Sequence, residues 1–185
     1  MGIGKSMPID YTTEMILALD ILNVNGYLWT RVKADNSAPL IREGDMICLK
    51  KCGKELKKGD LVAVDYHKIF IIQRIIEIDG DTVYTKADHS EKGPFSQEIG
   101  NIAGKVAYIK KEKNLVNIDN PICDLIHLLI IWLSVGRSKV NTASGFFYRK
   151  FFHKLRRSML KRILKLELII GKKYAKNVDP GLQIP

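Results

Sequence analysis

Near the start of the chain, Met15, Ile16, Leu19 and Leu22 recur at helical spacing, with Glu14 and Asp20 among them. This period predicts an amphipathic helix over residues 9–25, capped by Asp10 or Thr12 and stopped at Asn25-Gly26. The pattern then changes to short runs rich in β-branched and aromatic residues. Residues 26–34, 45–50, 59–66, 69–78 and 82–86 read as strands. Gly44-Asp45, Gly59-Asp60 and Asp79-Gly80 supply tight turns. Residues 87–97, with Gly93 and Pro94, are expected to form a loop, and residues 99–111 to hold the last strand. Many short strands joined by such turns predict a mainly β fold with antiparallel pairing.

Beyond residue 113 the pattern changes again. Residues 114–120 are expected as a polar linker ending at Pro121. Residues 122–135 are the most apolar stretch, but their 14 positions fall short of the roughly 20 needed to span a bilayer. They predict a helix that is buried or dips into a membrane. Asp124 and His127 lie three apart there and could share a helix face as a metal or acid–base pair. A solvated or capping pair is the plainer reading, and no metal or other cofactor is expected. In residues 146–170, Phe147, Phe151, Leu155, Met159 and Ile163 recur every four positions, and Phe152, Leu160 and Leu164 widen that face. Lysines and arginines cover the rest, so a second amphipathic helix is expected, followed by a tail over residues 171–185. The chain thus divides into an N-terminal helix (1–25) packed on a β domain (26–113), and a helical C-terminal region (114–185).

Charge sharpens that division. Residues 1–136 hold 17 Lys and Arg against 18 Asp and Glu, whereas residues 137–176 hold 13 against the single acid Glu167. The whole net charge of +10 therefore derives from one C-terminal segment. A basic face opposite aromatic and aliphatic residues suits a lipid interface, with Lys150, Lys154, Arg157 and Lys161 on the anionic membrane surface. Packing back on residues 122–135 is the structural alternative. A nucleic-acid partner is disfavoured, because no DNA-reading module precedes the basic segment. Cys48, Cys52 and Cys123 lack metal spacing and read as small buried hydrophobes in a reducing compartment. No signal peptide or N-terminal anchor is evident, so the expected location is cytoplasmic with peripheral membrane attachment.

The stretch between the first two strands reads V-K-A-D-N-S-A-P-L-I-R-E-G-D over residues 32–45. It resembles the nucleophile loop of the signal peptidase I family, whose superfamily includes the LexA-type self-cleaving repressors. Four further boxes follow in the family's order: K-G-D-L-V-A-V (58–64), I-Q-R-I-I (72–76), T-K-A-D (85–88) and I-A-G-K-V (102–106). The resemblance covers most of residues 10–111 and implies an antiparallel β-rich, signal-peptidase-like domain followed here by a C-terminal helical segment. It also implies a serine nucleophile activated by a lysine or histidine base.

Aligned without a gap, Pro39 and Gly44-Asp45 match, but Asn36 stands at the nucleophile position and Gln73 at the base position. Asp88 of the fourth box is kept, whereas Ala87 replaces its glycine. Neither Asn36 nor Gln73 supplies the required chemistry: one has no hydroxyl and the other no basic nitrogen. The resemblance implies substrate contacts at Pro39 and Asp45. The expected function is a catalytically degenerate peptidase fold that binds an extended peptide or protein segment. One alternative is an active endopeptidase using Ser37, with Lys33, Lys86 or His89 as base. The other is a non-catalytic membrane-peripheral or regulatory module.

Overall fold

The computed structural model describes residues 11–33, 40–53, 55–66, 69–88, 90, 93–112, 114–135 and 146–175. Helix α1 (Tyr11–Asn25) precedes strands β1 (Tyr27–Arg31), β2 (Met46–Lys50), β3 (Leu61–Tyr66), β4 (Ile69–Asp79), β5 (Thr82–Lys86), β6 (Phe95–Glu98), β7 (Ile102–Lys111) and β8 (Asn114–Asn117). Helices α2 (Pro121–Val135) and α3 (Phe146–Tyr174) close the chain. All pairings are antiparallel, in the order β1-β2-β7-β3-β4-β5-β6, with β8 also on β7. The mainly β fold with a helical C-terminal segment is therefore present.

Three elements depart from the sequence expectation. Part of the expected 87–97 loop is β6, which pairs with β5 from Thr82↔Glu98 to Thr85↔Phe95. Its Ser, Gln and Glu carry little strand propensity, so pairing with the neighbouring edge decides its conformation. The expected polar linker begins with β8, a hairpin return from β7 through Glu112, whose φ is +49°. Third, α3 runs through Gly171 to Tyr174 instead of ending at residue 170.

That last departure has a packing cause. A Cβ on Gly171 would collide with Val116 Cγ1 and stand 2.7 Å from the Asn117 carbonyl oxygen. Glycine here is a contact surface that lets α3 lie directly on β8.

The two type II turns share one design. Gly44 and Gly59 take positive φ (+86° and +102°), as the third residue of such turns requires. In each turn the following aspartate donates its N–H to a carbonyl three residues back, and its carboxylate accepts the N–H of that same residue. The partners are Arg42 for Asp45 and Lys57 for Asp60. Each carboxylate then pairs with a lysine of β7: Lys111 with Asp45, and Lys105 with Asp60 at 2.8 Å.

One apolar cluster joins the sheet to all three helices through Leu22, Leu40, Ile41, Leu61, Ile130 and Leu164, among others. Met15 and Leu22 bury α1 as expected, but Ile16 is 57% exposed. On α3 the buried side is Leu160, Ile163, Leu164, Glu167, Leu168 and Gly171, so Leu160, Ile163 and Leu164 of the expected apolar face turn inward, while Met159 of that face is exposed. A smaller cluster (Val62, Val64, Ile75, Val83, Ile102) covers the other face of β3, β4 and β5.

The Gly171 contact is testable. Gly171→Val should destabilise the chain by about 1–3 kcal/mol through overpacking against β8, read as a lower urea midpoint. An unchanged midpoint would show that α3 does not press on β8.

Candidate active site

The frame of the 32–45 loop is held at its root. Val32 donates to the Asp45 carbonyl and Gly44 to the Val32 carbonyl, both at 2.9 Å, while Leu40 and Ile41 are buried in the main core. Asn36, Ser37 and Pro39 lie outside the described residues, as does His89. Asp45, expected to contact substrate, is engaged in the frame by Lys111 and the Arg42 N–H.

Gln73 is half-buried in β4, opposite Val62. Its Oε1 accepts from the Thr85 hydroxyl (2.5 Å), whose oxygen accepts from Gln97 Nε2 (3.1 Å). Gln73, expected at the base position, is thus the end of a chain of neutral hydrogen bonds across β4, β5 and β6. Gln97 was not legible as a partner in the sequence, because its stretch reads as loop and only pairing to β5 brings it there.

Arg74, the next residue, faces the opposite side of the sheet and is fully buried. Its Nε and Nη2 donate to the two oxygens of Asp88, each at 2.8 Å, and Nη1 donates to the Gly59 carbonyl at 2.9 Å. Asp88 is therefore a counter-ion for Arg74, on the side of the sheet away from Gln73. The structure does not bring these two candidate residues together. Of the alternative bases, Lys33 is exposed and pairs with Glu14 at 3.0 Å, and Lys86 is buried opposite Arg74.

A second counter-ion comes from the basic helix. Glu167 Oε2 stands 3.7 Å from Arg74 Nη2, and Glu167 Oε1 is 2.6 Å from His127 Nε2. Burial opposes the charge on Arg74, but Asp88 and Glu167 outweigh it and raise its pKa. Lys105 is raised in the same way: burial lowers it, while Asp119 and Asp60 more than compensate. The sequence did carry a signal for Glu167. It is the lone acid of the basic segment and lies three and four residues after Leu164 and Ile163. Asp124 and His127 also resolve: Asp124 pairs with Lys57 at 2.9 Å, and His127 is buried.

A family model described as Peptidase S24-like matches residues 2–107. The chain belongs to the peptidase S24-like family. No curated protein matches it. The S24-like match ends inside β7, so β8, α2 and α3 lie beyond it, yet α3 supplies Glu167 to the S24-like arginine.

The buried groups set an alkaline limit. Burial pushes the Cys48 thiol from its ordinary 9.0 to about 12 and the Cys123 thiol to about 11. A folded pKa above the unfolded one gives stability that is complete below pH 9.0 and lost as pH rises through the folded value. Lys105 acts in the same direction at higher pH. The urea midpoint should hold to about pH 9 and then fall steadily, and Cys48→Ala should remove part of the fall. A flat midpoint to pH 11 would contradict this account.

Proposed function

We propose that the chain is a catalytically degenerate S24-like peptidase fold that holds an extended peptide or protein segment without cutting it. The observation carrying this reading is Gln73, an amide at the base position, closed into the Thr85–Gln97 chain. Asn36 at the nucleophile position agrees with it. Binding needs only an open strand edge with side-chain pockets, and β1, which leads into the Asn36 loop, is an end strand of the sheet.

The test is a cleavage and binding assay of the purified chain against signal-peptide-like and repressor-hinge-like peptides. Asn36→Ser/Gln73→Lys is run beside the natural chain. The natural chain should bind without cutting, and the double variant should gain hydrolysis. Hydrolysis by the natural chain, lost on Ser37→Ala, would establish the active-endopeptidase alternative instead.

A second observation favours attachment to an anionic membrane surface, compatible with a cytoplasmic peripheral protein. No helix among the described residues is long and apolar enough to cross a membrane. The outer side of α2 nevertheless exposes Leu125 (69%), Leu128 and Leu129. On α3, Lys161, Arg162 and Lys165 are exposed beside Leu166 and Ile169. The side chains of Lys150, Lys154 and Arg157 lie outside the described residues. Each exposed leucine is worth about 1.5–3 kcal/mol on burial and each nearby cation about 1 kcal/mol at an anionic surface. Sedimentation with phosphatidylglycerol-containing vesicles should exceed that with phosphatidylcholine alone. Leu125→Asp/Leu129→Asp should cut it at least about tenfold. Equal sedimentation of that variant would reject this surface.

A further inference from the structure

The side chains around Gly59 make a site that neither the peptidase resemblance nor the basic helix requires. Asp60 follows Gly59 in the second G-D turn, and Asp124 and His127 lie one helical turn apart on α2. One ligand atom from each of the three lies within 4.8 Å of the others. The approach depends on Gly59, where a Cβ would stand 2.7 Å from His127 Cβ. Asp60 and His127 are buried, and Asp124 is reachable from solvent.

The second observation is the histidine. Its side chain is 3% exposed, and its Nδ1 is buried with no hydrogen-bond partner. Nε2 faces the Glu167 carboxylate at 2.6 Å. Glu167 in turn faces the Arg74 guanidinium, so it acts as acceptor and Nε2 carries the proton. With the proton on Nε2, a neutral ring leaves Nδ1 as a bare lone pair. Leaving such a group buried and unsatisfied is destabilising, because its hydration is lost and nothing replaces it. A histidine oriented by a carboxylate on its far nitrogen is the usual arrangement of a metal ligand.

We infer that Asp60, Asp124 and His127 Nδ1 form a binding site for a divalent transition-metal ion of the zinc type. One imidazole nitrogen and two carboxylates suit that class, and the three protein ligands leave a position for water. Bond lengths of about 2.0–2.2 Å place ligand atoms about 3.4 Å apart, so the side chains close inward, and Asp124 is free to move from the solvent side. Two lysines now balance the carboxylates. Lys105 bridges Asp60 and Asp119 and remains in place, while Lys57 contacts Asp124 with its side chain 60% exposed. The metal displaces the Lys57 ammonium. The bound ion ties α2 to the G-D turn of the S24-like sheet, and through Glu167 to α3. The site is independent of whether the peptidase groove binds or cuts peptide.

The test is titration of the untagged, chelator-treated full chain with Co(II), followed by visible absorption, and with Zn(II), followed by calorimetry. One equivalent should bind, with cobalt bands of four- or five-coordinate intensity and no thiolate charge-transfer band. Asp124→Asn, at a solvent-accessible position, should weaken binding at least about tenfold with its circular dichroism unchanged. Lys57→Met should tighten binding, and Cys52→Ser should leave it unaltered. Absence of a one-equivalent phase, or binding indifferent to both Asp124→Asn and Lys57→Met, overturns the site and leaves His127 Nδ1 to an ordered water.

Discussion

The fold depends on the charge of one buried arginine. A guanidinium without counter-ions in a core is prohibitive, and removing one partner of a buried pair costs roughly 3–5 kcal/mol. Arg74 meets this constraint with Asp88, from just beyond β5, and Glu167, from α3. The first partner is local to the S24-like sheet. The second is 93 positions away along the chain and belongs to a helix outside the family match. Whatever α3 does at its basic surface, its inner face is therefore part of the electrostatic closure of the sheet. The Gly171 contact with β8 brings that face within reach.

The same logic repeats at lower cost along β7. Lys105 and Lys111 each neutralise the aspartate of a G-D turn, so one strand pins both turns. The first of those turns closes the loop carrying Asn36 and Ser37. The second positions Gly59 against Arg74 and His127. The two G-D turns are built and charge-balanced by β7, while on the other side of the sheet Gln73 carries an amide closed by Thr85 and Gln97. These interactions serve stability, and stability needs no nucleophile.

What was legible follows the range of the interactions. The helix stop at Gly26, the two G-D turns and the strand runs rest on local preference and on period, which a sequence displays directly. Family membership was legible from short boxes in a fixed order. β6 and β8 were not, because Ser96, Gln97 and Asn114 have no strand preference of their own and take it from β5 and β7. The buried face of α3 was legible in part: Leu160, Ile163 and Leu164 belong to the expected apolar face, whereas Met159, which fits the same stripe, is exposed, and Glu167 and Gly171 complete the contact.

The sequence by itself determined most of the element types, the G-D turns, the basic C-terminal segment and the family-like order of the boxes that hold Asn36 and Gln73. These properties belong to residues and their near neighbours. Only the tertiary structure decided that Asp88 serves Arg74, that Asp45 serves the frame, that Glu167 is buried against Arg74 and His127, and that Asp60 meets Asp124 and His127. Apart from the i, i+3 pair on α2 and the local Arg42 N–H on Asp45, each of these joins residues at least 14 positions apart. Which distant charges meet is settled by strand register and helix docking, because a buried charge takes whichever partner the packing presents.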